Sequence, residues 1–331
     1  MKSLVLFNNK GGVGKTTLSF NIAHMFGRLG LRVVVLDYDP QCNISAIVLG
    51  EEELFRIWEG TEQGATVAGC VDLVRRGKGG VLAPHLAQVP NTENVWLLPG
   101  HLRLSRFEQT LAEEWPKTSA VDNERALDVT LALSVLASQA ADAANADLLL
   151  CDVGPSLGAL NRAALLACDA VLVPLAPDMF SLQGLQNVGP TLLEWRQDAS
   201  RFKDRSVALG AWHEFRPTGY VVQQHLVRAD RPVRAYEDWG SRIPSTFHKN
   251  VLGEPEVNPS LSTDNDPYCL AQIRHFAGLV PLAQQSRKPL FDLKRADGVS
   301  GGGGPLVHHA ETEFRGLCKR ILKSLDVAVP E

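Results

Sequence analysis

The stretch Asn8–Thr17, NNKGGVGKTT, carries the residue types that hold a phosphate chain. It approaches the pattern G-x-x-x-x-G-K-[ST], with Gly14, Lys15 and Thr16 in place. Asn9 stands where the first glycine belongs, and a second lysine, Lys10, follows it. A glycine-rich turn between a strand and a helix aims backbone N–H groups inward, and the positive end of the helix dipole adds to them. The cradle then comprises Lys10, Gly11, Gly12, Val13, Gly14, Lys15, Thr16 and Thr17. Lys15 neutralises the β- and γ-phosphates of a nucleotide, and the Thr16 hydroxyl ligates Mg²⁺. A glycine turn without function is the bland alternative. The strand before, the helix after and the GKT triplet all speak against it.

Two carboxylates follow at Asp37 and Asp39, in LDYDPQ. Alternate positions point to one side where a strand ends, and the ends of parallel strands line the ligand crevice of an open α/β sheet. In that place Asp37 helps to hold Mg²⁺ through water. Asp39 positions, and partly deprotonates, the water that attacks the γ-phosphate. A third strand end, ADLLLCDVGPS, closes on Asp152, whose carboxylate reaches the Mg²⁺ shell. Gly154-Pro155 after it suits a loop that senses the γ-phosphate.

The elements that position these groups are legible from apolar runs. Ser3–Phe7 is a strand that ends at the glycine loop, and Thr16–Leu29 shows apolar residues at three- and four-residue spacing, which predicts a helix stopped by Gly30. Arg32–Leu36 is the next buried strand. Strand, loop, helix and strand make a βαβ unit and imply a parallel sheet. Further strands are expected at Val95–Leu98, Asp147–Asp152, Ala170–Pro174 and Ser206–Trp212. Helices are expected at about 101–116, 121–144, from 158, and from 311 to 325. Residues 218–236 read as helix and loop, and Gly278–Leu282 as loop or short strand. Gly298–Gly304 reads as a flexible loop. No repeat or linker divides the chain, which reads as one α/β domain over 1–331 with insertions at about 51–146 and 260–310.

The 331 residues carry a net charge of −4, which excludes a wholesale polycation for nucleic acid. The charge is uneven: residues 1–193 hold 14 Lys+Arg against 20 Asp+Glu, and residues 194–331 hold 19 against 17. Any basic surface is therefore expected in the C-terminal part. None of the six cysteines has C-x-x-C spacing, which argues against zinc or iron–sulfur and for reduced thiols in a cytosolic protein. The start lacks the charged and apolar regions of a signal peptide. No apolar run reaches the ~18 residues expected of a membrane span.

KGGVGKTT, LDYDPQCN and DVGPSLGALNRAAL together resemble the ParA/MinD family of deviant-Walker ATPases, the ParA branch more closely. The likeness is strong over 1–50 and 147–190 and fainter at Ser241–Pro255. It implies a mostly parallel, doubly wound P-loop NTPase sheet of the SIMIBI type, with ATP and Mg²⁺ as cofactors. It makes Lys10 the signature lysine, which reaches the nucleotide of a second protomer in an ATP-sandwich homodimer. By the same likeness Lys15 is the P-loop lysine, Thr16 the Mg²⁺ ligand, Thr17 a phosphate contact, Asp39 the catalytic aspartate and Asp152 the switch-loop aspartate. An added cation beside the transferring phosphoryl stabilises charge as an arginine finger does. Gly12 lets the two loops approach closely. One departure is Gly154, where the family carries a proline; this loosens the loop. No base contact is marked after the sixth strand.

The resemblance also implies DNA binding without sequence preference, for which Arg228, Arg231, Arg234, Arg242 and Lys249 are candidates, set against ordinary solvated charge. Such binding weakens steeply with salt. The terminal helix has an apolar stripe, Phe314 to Leu325, that suits packing on the sheet better than membrane binding. The leading expectation is a cytoplasmic ATPase that dimerises on ATP, sits on the nucleoid if it binds DNA, and positions a plasmid, chromosome or protein cargo. Hydrolysis is then slow and stimulated by a ParB-like or adaptor partner. The rival readings are a nucleotide-gated scaffold without DNA binding and a MinD-like membrane-associated ATPase.

Overall fold

The structure, a computed structural model, describes all residues except 120–122, 201–202, 205–214, 226, 229–230, 233–237, 277, 302 and 330–331, and only the backbone of 119, 199, 224–225, 227–228 and 231–232. In chain order the strands are Lys2–Leu6 (β1), Val33–Asp37 (β2), Ala87–Gln88 (β3), Val95–Leu98 (β4), Leu148–Asp152 (β5), Ala170–Leu175 (β6), Arg216–His225 (β7), Val227–Arg228 (β8), Arg231–Pro232 (β9) and Cys269–Arg274 (β10). The helices are Lys15–Arg28 (α1), Asn43–Leu49 (α2), Glu51–Glu59 (α3), Val67–Arg76 (α4), Leu104–Glu114 (α5), Glu124–Ala144 (α6), Ala159–Leu166 (α7), Met179–Ala199 (α8), Ile243–Phe247 (α9), Val280–Ser286 (α10) and Gly304–Ser324 (α11).

Eight strands form one sheet in the order β10-β7-β6-β1-β5-β2-β4-β3, parallel throughout except for β3 against β4. The strands are Val/Leu-rich because both faces are covered, as expected of a parallel sheet. Alternation still sorts them. Leu4 and Leu6 enter the core shared with α1 and α11, whereas Val5 and Phe7 enter the core shared with α4 to α8. In the terminal helix Phe314, Leu317, Cys318, Ile321 and Leu322 are buried in the first of these cores. The stripe therefore packs, as its composition suggested.

Residues 51–146 supply β3 and β4 to the sheet and α3 to α6 to its flank. Among the described residues α6 is long and apolar enough to cross a membrane, although no apolar run in the sequence predicts a span there; 61% of its apolar window is buried. It packs on α4, α5 and α7, so it serves here as a core helix.

Three expectations need correction or lie out of reach. The stretch read as helix and loop over 218–236 holds most of β7, an interior strand between β6 and β10. Pro217 and Gly219 disguise it, for both read as turn residues. The register shift opposite Val171/Leu172 accommodates them. A Cβ on Gly219 would lie 2.4 Å from the Tyr268 carbonyl oxygen, so glycine there permits close approach of a neighbouring backbone. Gly278–Leu282, read as loop or strand, runs instead into α10. The expected strand at Ser206–Trp212 falls outside the described residues.

Candidate functional site

The C-terminal ends of β1, β5 and β2 lie side by side, with Leu6 opposite Asp152 and Asp152 opposite Asp37. The glycine loop leaves β1 and enters α1 above them. Gly12 and Gly14 hold φ of +72° and +79°, a region that L side chains rarely adopt. A Cβ on Gly12 would meet nothing within 4 Å inside the protomer; its backbone angle, not crowding in the chain, demands glycine. Behind the loop the Gln223 side-chain amide donates to the Val13 carbonyl.

Lys15 is buried and its ammonium donates to the carbonyls of Asn8 at 2.9 Å and Lys10 at 3.1 Å. Burial lowers its pKa, while the charges of Asp152 and Asp39 oppose that fall. Thr16 Oγ1 donates to Asp152 Oδ2 at 3.0 Å, and Ser19 Oγ donates to Asp152 Oδ1 at 2.8 Å. Asp152 is fully buried. Burial pushes its carboxyl up to about 6, against the Ser19 and Thr16 hydrogen bonds and helped by the charge of Asp39.

Asp39 lies across from them, 4% exposed. Burial raises its pKa, opposed by the Gln41 N–H and by Lys15. The Gln41 N–H donates to Asp39 Oδ1 at 2.9 Å and fixes the turn. A Cβ on Gly154 would stand 3.1 Å from the same oxygen, so the loop after β5 runs directly against Asp39. Asn161 pins that loop from behind, donating to the Gly154 and Ser156 carbonyls at 2.8 Å each.

Asp37 is fully buried at the end of β2. Its Oδ2 accepts from Ser45 Oγ at 2.5 Å and from the Ser45 N–H at 3.2 Å, and its Oδ1 accepts from the Asp39 N–H at 3.1 Å. Burial and the charge of Asp152 push it up to about 8. Both of its oxygens are engaged by its own turn and by α2, so Asp37 holds the Asp39 N–H in place, and a part in the Mg²⁺ shell would run through water.

Lys10 lies at the rim, partly exposed, with its ammonium 2.5 Å from Asp178 Oδ2. Asp178 also caps α8, accepting from the Ser181 N–H at 2.8 Å. Burial pulls its carboxyl upward, but the Lys10 and Ser181 hydrogen bonds hold it below the ordinary carboxylate range. Sequence reading missed Asp178, Gln223, Ser19 and Ser45. The Asp178-x-x-Ser181 spacing is a helix-start signal, but nothing local announces its partner Lys10.

The residues present fit a Mg²⁺–nucleotide. A hydroxyl and a carboxylate oxygen meet 3.0 Å apart at the loop, which suits an ion that takes one or two protein oxygens and otherwise water and phosphate. Lys15, from the loop itself, faces the same two aspartates. No cluster of three or more metal-binding side chains is found among the described residues.

Of the basic residues proposed for DNA, Arg228 and Arg231 pair across the β8–β9 ribbon by their backbones. Arg234 lies outside the described residues. Arg242 is exposed, its guanidinium 5.2 Å from the centre of the Trp239 ring, and Lys249 is exposed on the π-helical turn after α9.

A parallel sheet with a glycine loop at the end of β1 and carboxylates at the ends of β2 and β5 defines a P-loop ATPase of the ParA/MinD type. Residues 1–202 match a protein family described as an AAA domain, and the chain belongs to that family. Protein IncC of Escherichia coli is 32% identical over 209 residues, 61% of this chain and 49% of IncC. The chromosome-partitioning ATPase Soj of Treponema pallidum is 31% identical over 187 residues, 56% of this chain and 60% of Soj. The chain thus spans about half to three fifths of these two relatives. A crystal structure of a Corynebacterium diphtheriae protein superposes with a TM-score of 0.73 at 25% identity, covering 98% of this chain and 99% of that one.

Proposed function

We propose that this chain is an ATP hydrolase that dimerises on ATP and uses the cycle to position a plasmid, chromosome region or protein cargo. The observation that carries the reading is the convergence of Lys15, Thr16, Asp39 and Asp152 on one loop, with Lys10 kept at its rim. Lys15 and the loop N–H groups bind the phosphate chain. Thr16 and Asp152 hold Mg²⁺, which when bound neutralises charge on the phosphates. Asp39, made more basic by burial, accepts the proton of the attacking water. In a second protomer's site Lys10 adds a cation beside the phosphoryl group. Turnover is slow until a partner protein completes that arrangement.

The test of the trans role is Lys10→Ala. Hydrolysis should fall by about 10³-fold, the range of a supplied cation in other NTPases, while ATP still binds. Retained turnover refutes the assignment.

Binding to arbitrary duplex DNA follows from the kinship with partition ATPases and from the exposed Arg242 and Lys249. An Asp39→Ala protein loaded with ATP should shift random duplex at low salt and release it as salt rises. No shift by the dimeric protein would move the reading to the nucleotide-gated scaffold.

A further inference from the structure

A cavity of about 290 Å³ opens between α3, α4 and the start of α5. Four arginines line it: Arg75, Arg76, Arg103 and Arg106. Asp72 answers the first two, at 2.7 Å each. The other acid in the wall, Glu62, pairs with His85. Arg103 and Arg106 are exposed and have no ion pair among the described residues. A half-buried ring pair completes the wall, Trp58 with His101, 5.2 Å between centres.

We propose that this cavity is a second ligand site, for a phosphorylated small molecule of mononucleotide size. Guanidinium groups match phosphate in a fork geometry that lysine lacks. The volume lies near the lower limit of ligand pockets, roughly 300 Å³. Its concavity favours a compact anion over the backbone of a duplex.

The site is joined to the catalytic one by hydrogen bonds linked through the Gly100 backbone and the Asp37 carboxylate. Trp58 Nε1 donates to the Gly100 carbonyl at 3.0 Å. The Gly100 N–H donates to Ser45 Oγ at 2.9 Å. Ser45 Oγ donates to Asp37, which accepts from the Asp39 N–H. A ligand that moves Trp58 therefore bears on the turn that aims Asp39. This coupling rests on the hydrolysis proposed above; the binding does not.

The test titrates AMP, GMP and pyrophosphate by calorimetry into the full chain, with its phosphate loop already saturated by a non-hydrolysable ATP analogue. At least one probe should bind with one-to-one stoichiometry, and affinity should fall at least tenfold in Arg103→Ala and in Arg106→Ala. In Trp58→Phe, which keeps an aromatic ring in the wall but loses the second ring and the N–H, binding should persist while any effect of the probe on ATP turnover disappears. No binding by any probe overturns the proposal. So does a result in which only random duplex DNA binds and loses affinity in the arginine variants. If the probes bind but the chain hydrolyses no ATP, the site stands and the enzymatic reading fails.

Discussion

The Mg²⁺ role proposed for Asp152 needs its carboxyl ionised, but the residue is buried in a place that resists ionisation. Burial holds its carboxyl at about 6 instead of 3.8. At 1.36 kcal/mol per tenfold, the charged form costs the nucleotide-free fold about 3 kcal/mol at neutral pH. The folded state binds this proton more tightly than the unfolded chain. Its contribution to stability is therefore full below pH ~4, declines between ~4 and ~6, and is absent above ~6. Asp152→Asn resembles the protonated form in shape and can keep the Thr16 and Ser19 contacts. We expect it to be more stable than the native protein by up to about 3 kcal/mol at pH 7.5, and by about half that at pH 5. Denaturant unfolding without nucleotide or Mg²⁺ measures both values. Adding Mg²⁺ and ATP should stabilise the native protein and have much less effect on the variant. A variant less stable than the native protein at pH 7.5, or a gap independent of pH, refutes the reasoning.

Three further outcomes follow from contacts described above. Gly154→Ala places a methyl 3.1 Å from Asp39 Oδ1 and should slow turnover several-fold with ATP affinity unchanged, read by steady-state kinetics and equilibrium binding. Gln223→Ala removes the donor to the Val13 carbonyl; a net bond of about 1 kcal/mol predicts roughly fivefold weaker nucleotide binding in a filter or fluorescence assay. Ser45→Ala leaves a buried oxygen of Asp37 without its hydroxyl and should destabilise the protein by about 1–3 kcal/mol in urea unfolding.

What the sequence discloses is whatever is written locally. β1, β2, β5 and β6 are continuous apolar runs, and two of them end on an aspartate, so strands, loop and carboxylates could be placed before any coordinates. β7 carries its own contradiction in Pro217 and Gly219; only the approach of Tyr268 and the register shift beside Val171 explain why those residues belong there. The partners of the site residues are equally hidden. Lys10 meets Asp178 across 168 positions, and Val13 meets Gln223 across 210. Asp37 shows a subtler limit. Its spacing from Asp39 places both carboxylates at one strand end, but the contacts of Asp37 with Ser45 and with the Asp39 N–H are not written in that spacing.

The strand order also sets when this protein can fold during synthesis. β1 lies between β5 and β6, so Lys2 waits for Leu148, and Leu4 for Ala170. Parallel pairing across such separations is intrinsically slow, because a long loop must close before any contact rewards it. While the ribosome is still making residues 1–147, the first strand has neither of its neighbours. A nascent chain stalled there presents an apolar strand with both edges open, a template for aggregation. The phosphate loop, anchored on that strand, is synthesised well before both neighbouring strands and can take its final shape only after residues 148–175 have emerged.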